Sequence, residues 1–466
     1  MSGLLTSLGS AAQALNAQSQ AIAVVSNNIA NVNNPDYAEE TPTFNDMGMV
    51  QTAEGPESLG LTVSVSQQRS AVLDQMVRQE ASVTSGFTAQ QSLLQQAQAA
   101  LGENITSSSS STSSTATESG LSSSIDAFFN AFENLAANPT DEGAKETVVE
   151  QAGVLTDRFQ EVDQNLAQVQ SNADAQVTSG VSSANTLLQD VATLNSQIAS
   201  FEANDPGSAV DLRDQREGDL EQLAALMPIS ISENSQGEDT VTAAGGSGPV
   251  TLVSNGTVAN ALSYSSGTIS AGSTALSLAS GSLAGSITAS TGAVQTLRTS
   301  LDALAAQIVT AVNTAYNPTA TAGGDFFDSA GTTAGTIAVA SGISSSSLTA
   351  GTGSAGDNSI ATAVAAVANQ QFSTSGGDDI DGTIDSFYGD TASNIGQAVD
   401  TANTQVTDQT NVQTIVTNQR NSVSGVSLDE EMSHLMTYQT AYQASSELFS
   451  TINTMLSELI TDLTAS

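Results

Sequence analysis

The run from Leu428 to Leu463 constrains this chain more than any other stretch. From Leu435 onward, Leu435, Tyr438, Tyr442, Phe449, Ile452, Leu456, Leu459 and Leu463 recur at alternating spacings of three and four, with Ser445 as the break. That rhythm keeps one seam of an α-helix turned toward a partner, as in a coiled coil. No glycine or proline interrupts it, and Asp429, Glu430 and Glu431 open it, where a helix N-terminus favours negative charge. The other end of the chain offers the partner. Leu8, Leu15, Ile22 and Ile29 fall seven residues apart, with the small residues Ala12, Ser19 and Ser26 between them. Large residues on one helix then interlock with small ones on the other. The two termini are expected to pair, with everything between them looped out.

Charge narrows the possible partners. The 466 residues carry 8 Lys and Arg against 48 Asp and Glu, a formal charge of −40. Nucleic acids and anionic membranes are recognised through clustered basic residues, so neither is expected as a partner. There is no cysteine and a single histidine, His434, which excludes disulfides, cysteine-based zinc sites and cysteine nucleophiles. The first basic residue is Arg69, so no signal peptide with a positive start is expected. No apolar run approaches the roughly 18 residues of a membrane-spanning helix, so no membrane insertion is expected.

The first helix should run from about Gly3 to Val32 and stop at Pro35, which lacks an N–H and disfavours helical geometry at Asn34. The stretch Ser26 to Tyr37, with Asn27, Asn28, Asn31, Pro35 and Tyr37, resembles the N-terminal signature of the bacterial flagellar axial proteins, which include rod, hook and hook-associated proteins. The usual form has Thr-Pro-Gly-Tyr where this chain has Asn34-Pro35-Asp36-Tyr37, and Asp is itself a turn residue. An extended segment follows to about Ser66, in which Leu59, Leu61, Val63 and Val65 alternate like a strand. Helix is then expected from about Arg69 to Leu101. The Ser/Thr run from Ser107 to Thr117 reads as a mobile loop.

From Leu121 the chain is helical again, and Ile125 to Pro139, with Phe128 and Phe129, is similar to a stretch of the hook-associated protein 1 family. A long helix from about Glu142 to Asn204 follows, with Gly180 its weak point. Asp211 to Glu217 clusters five charges and again resembles that family; a salt-bridged helix face and a specific interdomain contact are equally good readings. From Ile229 to about Thr288, short alternating pieces between Gly, Ser and Asn turns, including Leu283 to Ile287, predict a small β insert. Helix resumes to Tyr316, short strands are expected to about Gly353, and helices from about Ser359 to Gln370 and Ser386 to Val423 lead to the last element. The motifs Ala311-Val312-Asn313, Gly323 to Phe327, and Leu428 to Met432 with Asp429, Glu430 and Glu431 fit the same family.

The expected fold is mainly α with a small β insert: paired, coiled-coil-like terminal helices, a long-helix bundle domain and a β-rich outer domain. The domains expected are 1–45 plus 424–466 for assembly, 46–228 plus 291–423 for the bundle with a strand and loop excursion at 324–353, and 229–290 for the small β domain. No P-loop, nucleophile elbow or zinc motif is present. Gly377 to Gly382 looks like part of a calcium loop, but Tyr388 stands where an EF-hand needs its glutamate, so an acidic turn is expected and no cofactor or metal. The resemblance implies a non-enzymatic structural protein of the flagellum that joins hook to filament. Its implied partners are copies of itself, the hook protein, hook-associated protein 3 and an export chaperone on the C-terminal helix. Another axial protein, or remotely an exported acidic hydrolase, are the alternatives. The implied location is extracellular, reached without a cleaved signal peptide.

Overall fold

A computed structural model describes residues 2–46, 48–52, 55–58, 60–102, 120–203, 205–354 and 356–465. The Ser107–Thr117 run and Leu59 lie outside these residues. Helix α1 (Ser2–Asn31) is followed by four strands, β1 (Glu40–Asp46), β2 (Met49–Thr52), β3 (Gly55–Ser58) and β4 (Leu61–Gln67). Strands β1 and β4 pair antiparallel, and β2 and β3 pair likewise between them. Then come α2 (Ala71–Ala100), α3 (Leu121–Ala137), α4 (Glu142–Phe201) and α5 (Val210–Leu226).

The next region holds two antiparallel sheets. The first orders β5 (Ser230–Glu233), β6 (Asp239–Gly245), β7 (Gly248–Ser254) and β8 (Thr257–Val258); the second joins β9 (Leu262–Ser265), β10 (Thr268–Ala271) and β11 (Thr274–Ala275). They share a core with α4, in which Val181, Leu188 and Val191 meet Val241, Leu252 and Ile269. The chain closes with α6 (Ser282–Ala289), a π-helical turn at Ser290–Val294, α7 (Gln295–Tyr316), α8 (Ser359–Val367), α9 (Ile384–Ser424) and α10 (Leu428–Ala465).

The main core lies where α3, α4, α7 and α8 meet. Phe128, Phe132, Phe326 and Phe327 are fully buried there. Their rings pack mostly edge to face or tilted, Phe128 lying 5.3 Å from Phe132 and 5.5 Å from Phe327. Asn313 holds the last pair in place. Its Oδ1 accepts from the N–H groups of Phe326 and Phe327 at 3.0 and 2.8 Å, and its Nδ2 donates to Phe327 O at 3.0 Å. Two separated sequence motifs thus form one packing unit.

Two local expectations are corrected. Leu283 to Ile287 is helix, not strand. Gly281, at φ +90°, starts α6, and its N–H donates to Ser82 O of α2 at 2.9 Å. A Cβ on Gly285 would stand 2.0 Å from Gly86 O, so backbone meets backbone where α2 and α6 cross. Apolar alternation cannot announce a helix whose packing relies on missing side chains. Gly180 belongs to the same device, since a Cβ there would lie 2.6 Å from Leu283 Cδ2. The second correction concerns 324–353. In place of short strands the described residues there form turns with one isolated bridge, Phe327 to Val339. Hydroxyls of Thr336, Ser344 and Ser347 bond the local chain and satisfy it without a ladder.

Candidate assembly ends and the joint that carries them

Helices α1 and α10 pack along each other. They run antiparallel, because the end of α1 and the start of α10 meet at one place, where Glu39 N donates to Ser424 O at 2.8 Å. Along α10, Ile452 is buried, while Leu435, Tyr438, Phe449, Leu456 and Leu459 are half-buried and Tyr442 is exposed. The side chain of Leu463 lies outside the description. Ser445, the gap in the stripe, is half-buried too and occupies a seam position.

On α1 the structure places Leu8, Leu15, Ile22 and Ile29 half-buried, and Ala12, Ser19 and Ser26 exposed. The buried stripe runs one residue away, through Ala11, Ala21, Val25 and Asn28, with half-buried Ala14 and Gln18 filling its three-four spacing. Leu8, Leu15, Ile22 and Ile29 thus lie beside the most buried stripe of α1.

The signature residues have specific partners. Asn28 is fully buried; its Oδ1 accepts from Glu40 N at 3.0 Å and from Tyr37 Oη at 2.8 Å, and its Nδ2 donates to Glu40 O at 2.8 Å. One amide thus pairs with the start of β1 as a neighbouring strand would, and fixes the exit from α1. Asn31 Nδ2 bonds Asn27 O at 3.1 Å, and Asn27 itself is exposed. Pro35 is exposed, with its carbonyl engaged by Arg420. Asp36 needs no left-handed backbone, since Asn255, Ser266 and Ala320 are the described non-glycine residues with positive φ. At the start of α10, Asp429 and Glu430 are exposed and Glu431 is buried. His434 lies 3.8 Å from Glu431 and stacks at 6.1 Å on Tyr438.

Beneath this meeting point lies α5, and four of the five charges of Asp211 to Glu217 make ion pairs and hydrogen bonds to other elements. Asp214 Oδ1 accepts from Gln67 at 2.7 Å and from Arg69 Nη2 at 2.8 Å. Arg213 binds Glu202 at 2.7 Å and Glu233 at 2.9 Å. Arg216, itself buried, binds Asp239 at 2.9 Å, Asn195 at 2.8 Å and Gly237 O at 2.6 Å. Arg78 pairs with Glu217, and Arg420 with Glu221. Of the eight basic residues in the chain, five surround or belong to α5. Sequence reasoning found the cluster but not Arg69, Arg78 or Arg420; the scarcity of basic residues was the available signal.

Hydrogen bonds from Arg213 hold the Glu202 carboxyl down to about 2. Burial, with Asp211 and Asp214 adding repulsion, pushes Glu40 up to about 7. Burial also raises Asp214, with Arg69 opposing. A polar cleft of about 480 Å³ between the 31–37 turn and α5 is lined by Asp36, Asp211, Asp214 and Asp219 among others. At 377–382 the acids close a turn: Asp378 accepts from Ser373 N at 2.8 Å and Asp381 from Thr374 N at 2.8 Å. Among the described residues no group of three or more candidate ligands is arranged to hold a metal, and no helix is long and apolar enough to cross a membrane.

Comparison with known proteins agrees with this layout. The family described as flagellar hook-associated protein FlgK helical domain matches residues 110–327. The flagella basal body rod protein family matches 8–37, and the flagellar basal body rod FlgEFG protein C-terminal family matches 417–462. Flagellar hook-associated protein 1 of Bacillus subtilis (strain 168) is 26% identical over 520 aligned residues, covering 99% of this chain and 98% of that one. Over its whole length the chain is similar to the flagellar hook-associated protein 1 family. It is a structural component of the bacterial flagellum. The Salmonella typhimurium member is 26% identical over 234 residues, covering 50% of this chain and 40% of its own. A solved chain described as the flagellar hook junction protein FlgK from Burkholderia pseudomallei aligns with 21% identity and a TM-score of 0.46 over 55% of this chain and 46% of that one.

Proposed function

We propose that this protein forms the junction between hook and filament, packing α1 and α10 against neighbouring subunits. The observation that carries the reading is the distribution of apolar side chains on α10. Besides its seam toward α1, the helix leaves Leu428, Met432, Met436, Leu448, Met455 and Ile460 exposed. In a 3.5-residue repeat these fall on both borders of the seam, with Met432, Met436 and Ile460 on one side and Leu448 and Met455 on the other. A helix pair with apolar borders on two sides suits a wall of subunits, each covering the next.

The partners in this reading are further copies of the chain, the hook protein on one side and hook-associated protein 3 on the other. Before assembly an export chaperone covers the same apolar face of α10, and the subunit is exported to the cell exterior. The role is non-catalytic. Cells lacking the protein should build hooks yet release filament protein into the medium, because nothing presents the filament with a compatible surface. Electron microscopy of the null strain, with an immunoblot of its culture fluid, tests this. Full filaments on those cells would refute the junction role, and absent hooks would point to a rod or hook protein.

A further inference from the structure

The turn between α1 and β1 is gripped by two guanidinium groups from distant parts of the chain. Arg69 Nη2 donates to Asp36 O at 2.6 Å, and Arg420 Nη2 donates to Pro35 O at 3.1 Å. Each guanidinium also holds a carboxylate of α5. Arg69 binds Asp214 Oδ1 through Nε at 3.2 Å and Nη2 at 2.8 Å, and Arg420 binds Glu221. Asp214 and Glu221 stand seven residues apart, about two turns of helix, so they share one face of α5. Arg420 lies in the last turn-and-a-bit of α9, just before the break that leads into α10, and Ser424, the last residue of α9, accepts from Glu39 N. The roots of both terminal helices therefore converge on two arginines and one helix of the body.

We propose that Arg69 and Arg420 are positioning residues that root α1 and α10 on the body of the free subunit, so that assembly starts from a fixed base. The fork of a guanidinium serves a carbonyl and a carboxylate together, which a lysine ammonium on a flexible stem does poorly. Arg420 is 5% exposed. Its loss leaves the half-buried Glu221 carboxylate without its cation and releases the Pro35 carbonyl at once, and partial burial makes the first of these costly. Surface ion pairs elsewhere, such as Arg158 with Glu161, lack this double engagement. The inference rests on α1 and α10 being the assembly helices, but its test needs no flagellum.

Amide hydrogen exchange on the purified, monomeric full-length protein decides it. Peptides covering 34–46, 61–70 and 416–428 should be protected at least a hundredfold over an unstructured chain. In the double variant Arg69→Gln with Arg420→Gln, that protection should fall at least tenfold, while peptides from α3 and α7 keep theirs. Exchange at the unstructured rate in the wild type, or unchanged protection in the variant, overturns the proposal. Should the double variant also loosen α3 and α7, Arg420→Lys keeps the charge while losing the fork. Loosening of the joint alone then supports the role, and a joint that stays protected overturns it. Failure here would leave the junction reading to the null strain, and the reverse holds equally.

Discussion

Helices α4 and α10 have comparable apolar periodicity and very different fates within one subunit. Along the 60 residues of α4, buried side chains recur from Val148 to Ile198, because α3, α5, α6 and the β region cover its successive faces. Along the 38 residues of α10, Ile452 is the single apolar side chain of the described residues that is less than a tenth exposed. A single chain supplies α10 with a partner on one side and leaves its borders open. The difference teaches that amphipathic pattern says a face will be covered, not that the same molecule will cover it.

The sharpest way to break the comparison is to place a charge in each kind of helix contact. Leu456→Asp should abolish incorporation into flagella, since the carboxylate would be buried without a partner once neighbours close around it. In the free subunit Leu456 is only half-buried, so thermal unfolding of the body should shift by less than about 0.5 kcal/mol. Normal motility with the variant subunit in place would sink the seam assignment. The same contrast predicts that amides of α1 and α10 exchange much faster than those of α3 and α7 in the monomer.

Within the body the expected losses are thermodynamic. Phe128→Ala should cost about 3–5 kcal/mol, because it empties the centre of the aromatic cluster. Denaturant unfolding would register this as a lower midpoint with little change in slope. Gly285→Ala should cost about 1–3 kcal/mol through overpacking, since its Cβ would strike Gly86 O. A neutral result at Gly285 would show that α2 and α6 can separate freely, against the close crossing described.

The joint gives a prediction of sign. Glu40 ordinarily titrates near 4.5 and is raised to about 7 in the folded subunit. Its contribution to the root is thus fully present below about 4.5 and is lost as pH rises through about 7. Glu202 runs the other way: held to about 2, it stabilises above about 4.5 and fails only as pH falls toward 2. Between pH 5 and 8 the root at 34–46 should therefore weaken. Opening free energies from amide exchange, corrected for the intrinsic rate at each pH, should show a smaller slope in Glu40→Gln. An equal slope in that variant would assign the effect elsewhere.

Much of this was legible because helical periodicity is local. The terminal helices, α4 and the Phe128 stretch announce themselves within windows of a few turns. The most buried stripe of α1 did not, because large residues draw the reading to Leu8, Leu15, Ile22 and Ile29, while Ala11, Ala21 and Val25 are the more deeply buried. Helix α6 was hidden for the related reason that Gly281 and Gly285 act through what they lack. The joint was half-legible. The charges of α5 stand together in sequence, but their partners do not: Arg69 and Asp214 are separated by 145 positions, and Arg420 and Glu221 by 199. No local window can pair such residues.

The smallest effect should come from filling the break in the α10 stripe. Ser445 stands seven residues from Tyr438 and from Ile452, on the same seam, and is half-buried against the terminal pair. A leucine there adds apolar surface to a helix that has little of it covered, and leucine is also the better helix former. Ser445→Leu should therefore incorporate normally and slow exchange along α10 by a factor of about 2–5, which corresponds to roughly 0.4–1 kcal/mol. If it blocks incorporation instead, the serine marks a close approach that assembly requires, and α10 would resemble α6 in depending on a missing side chain rather than differing from α4 only in lacking cover.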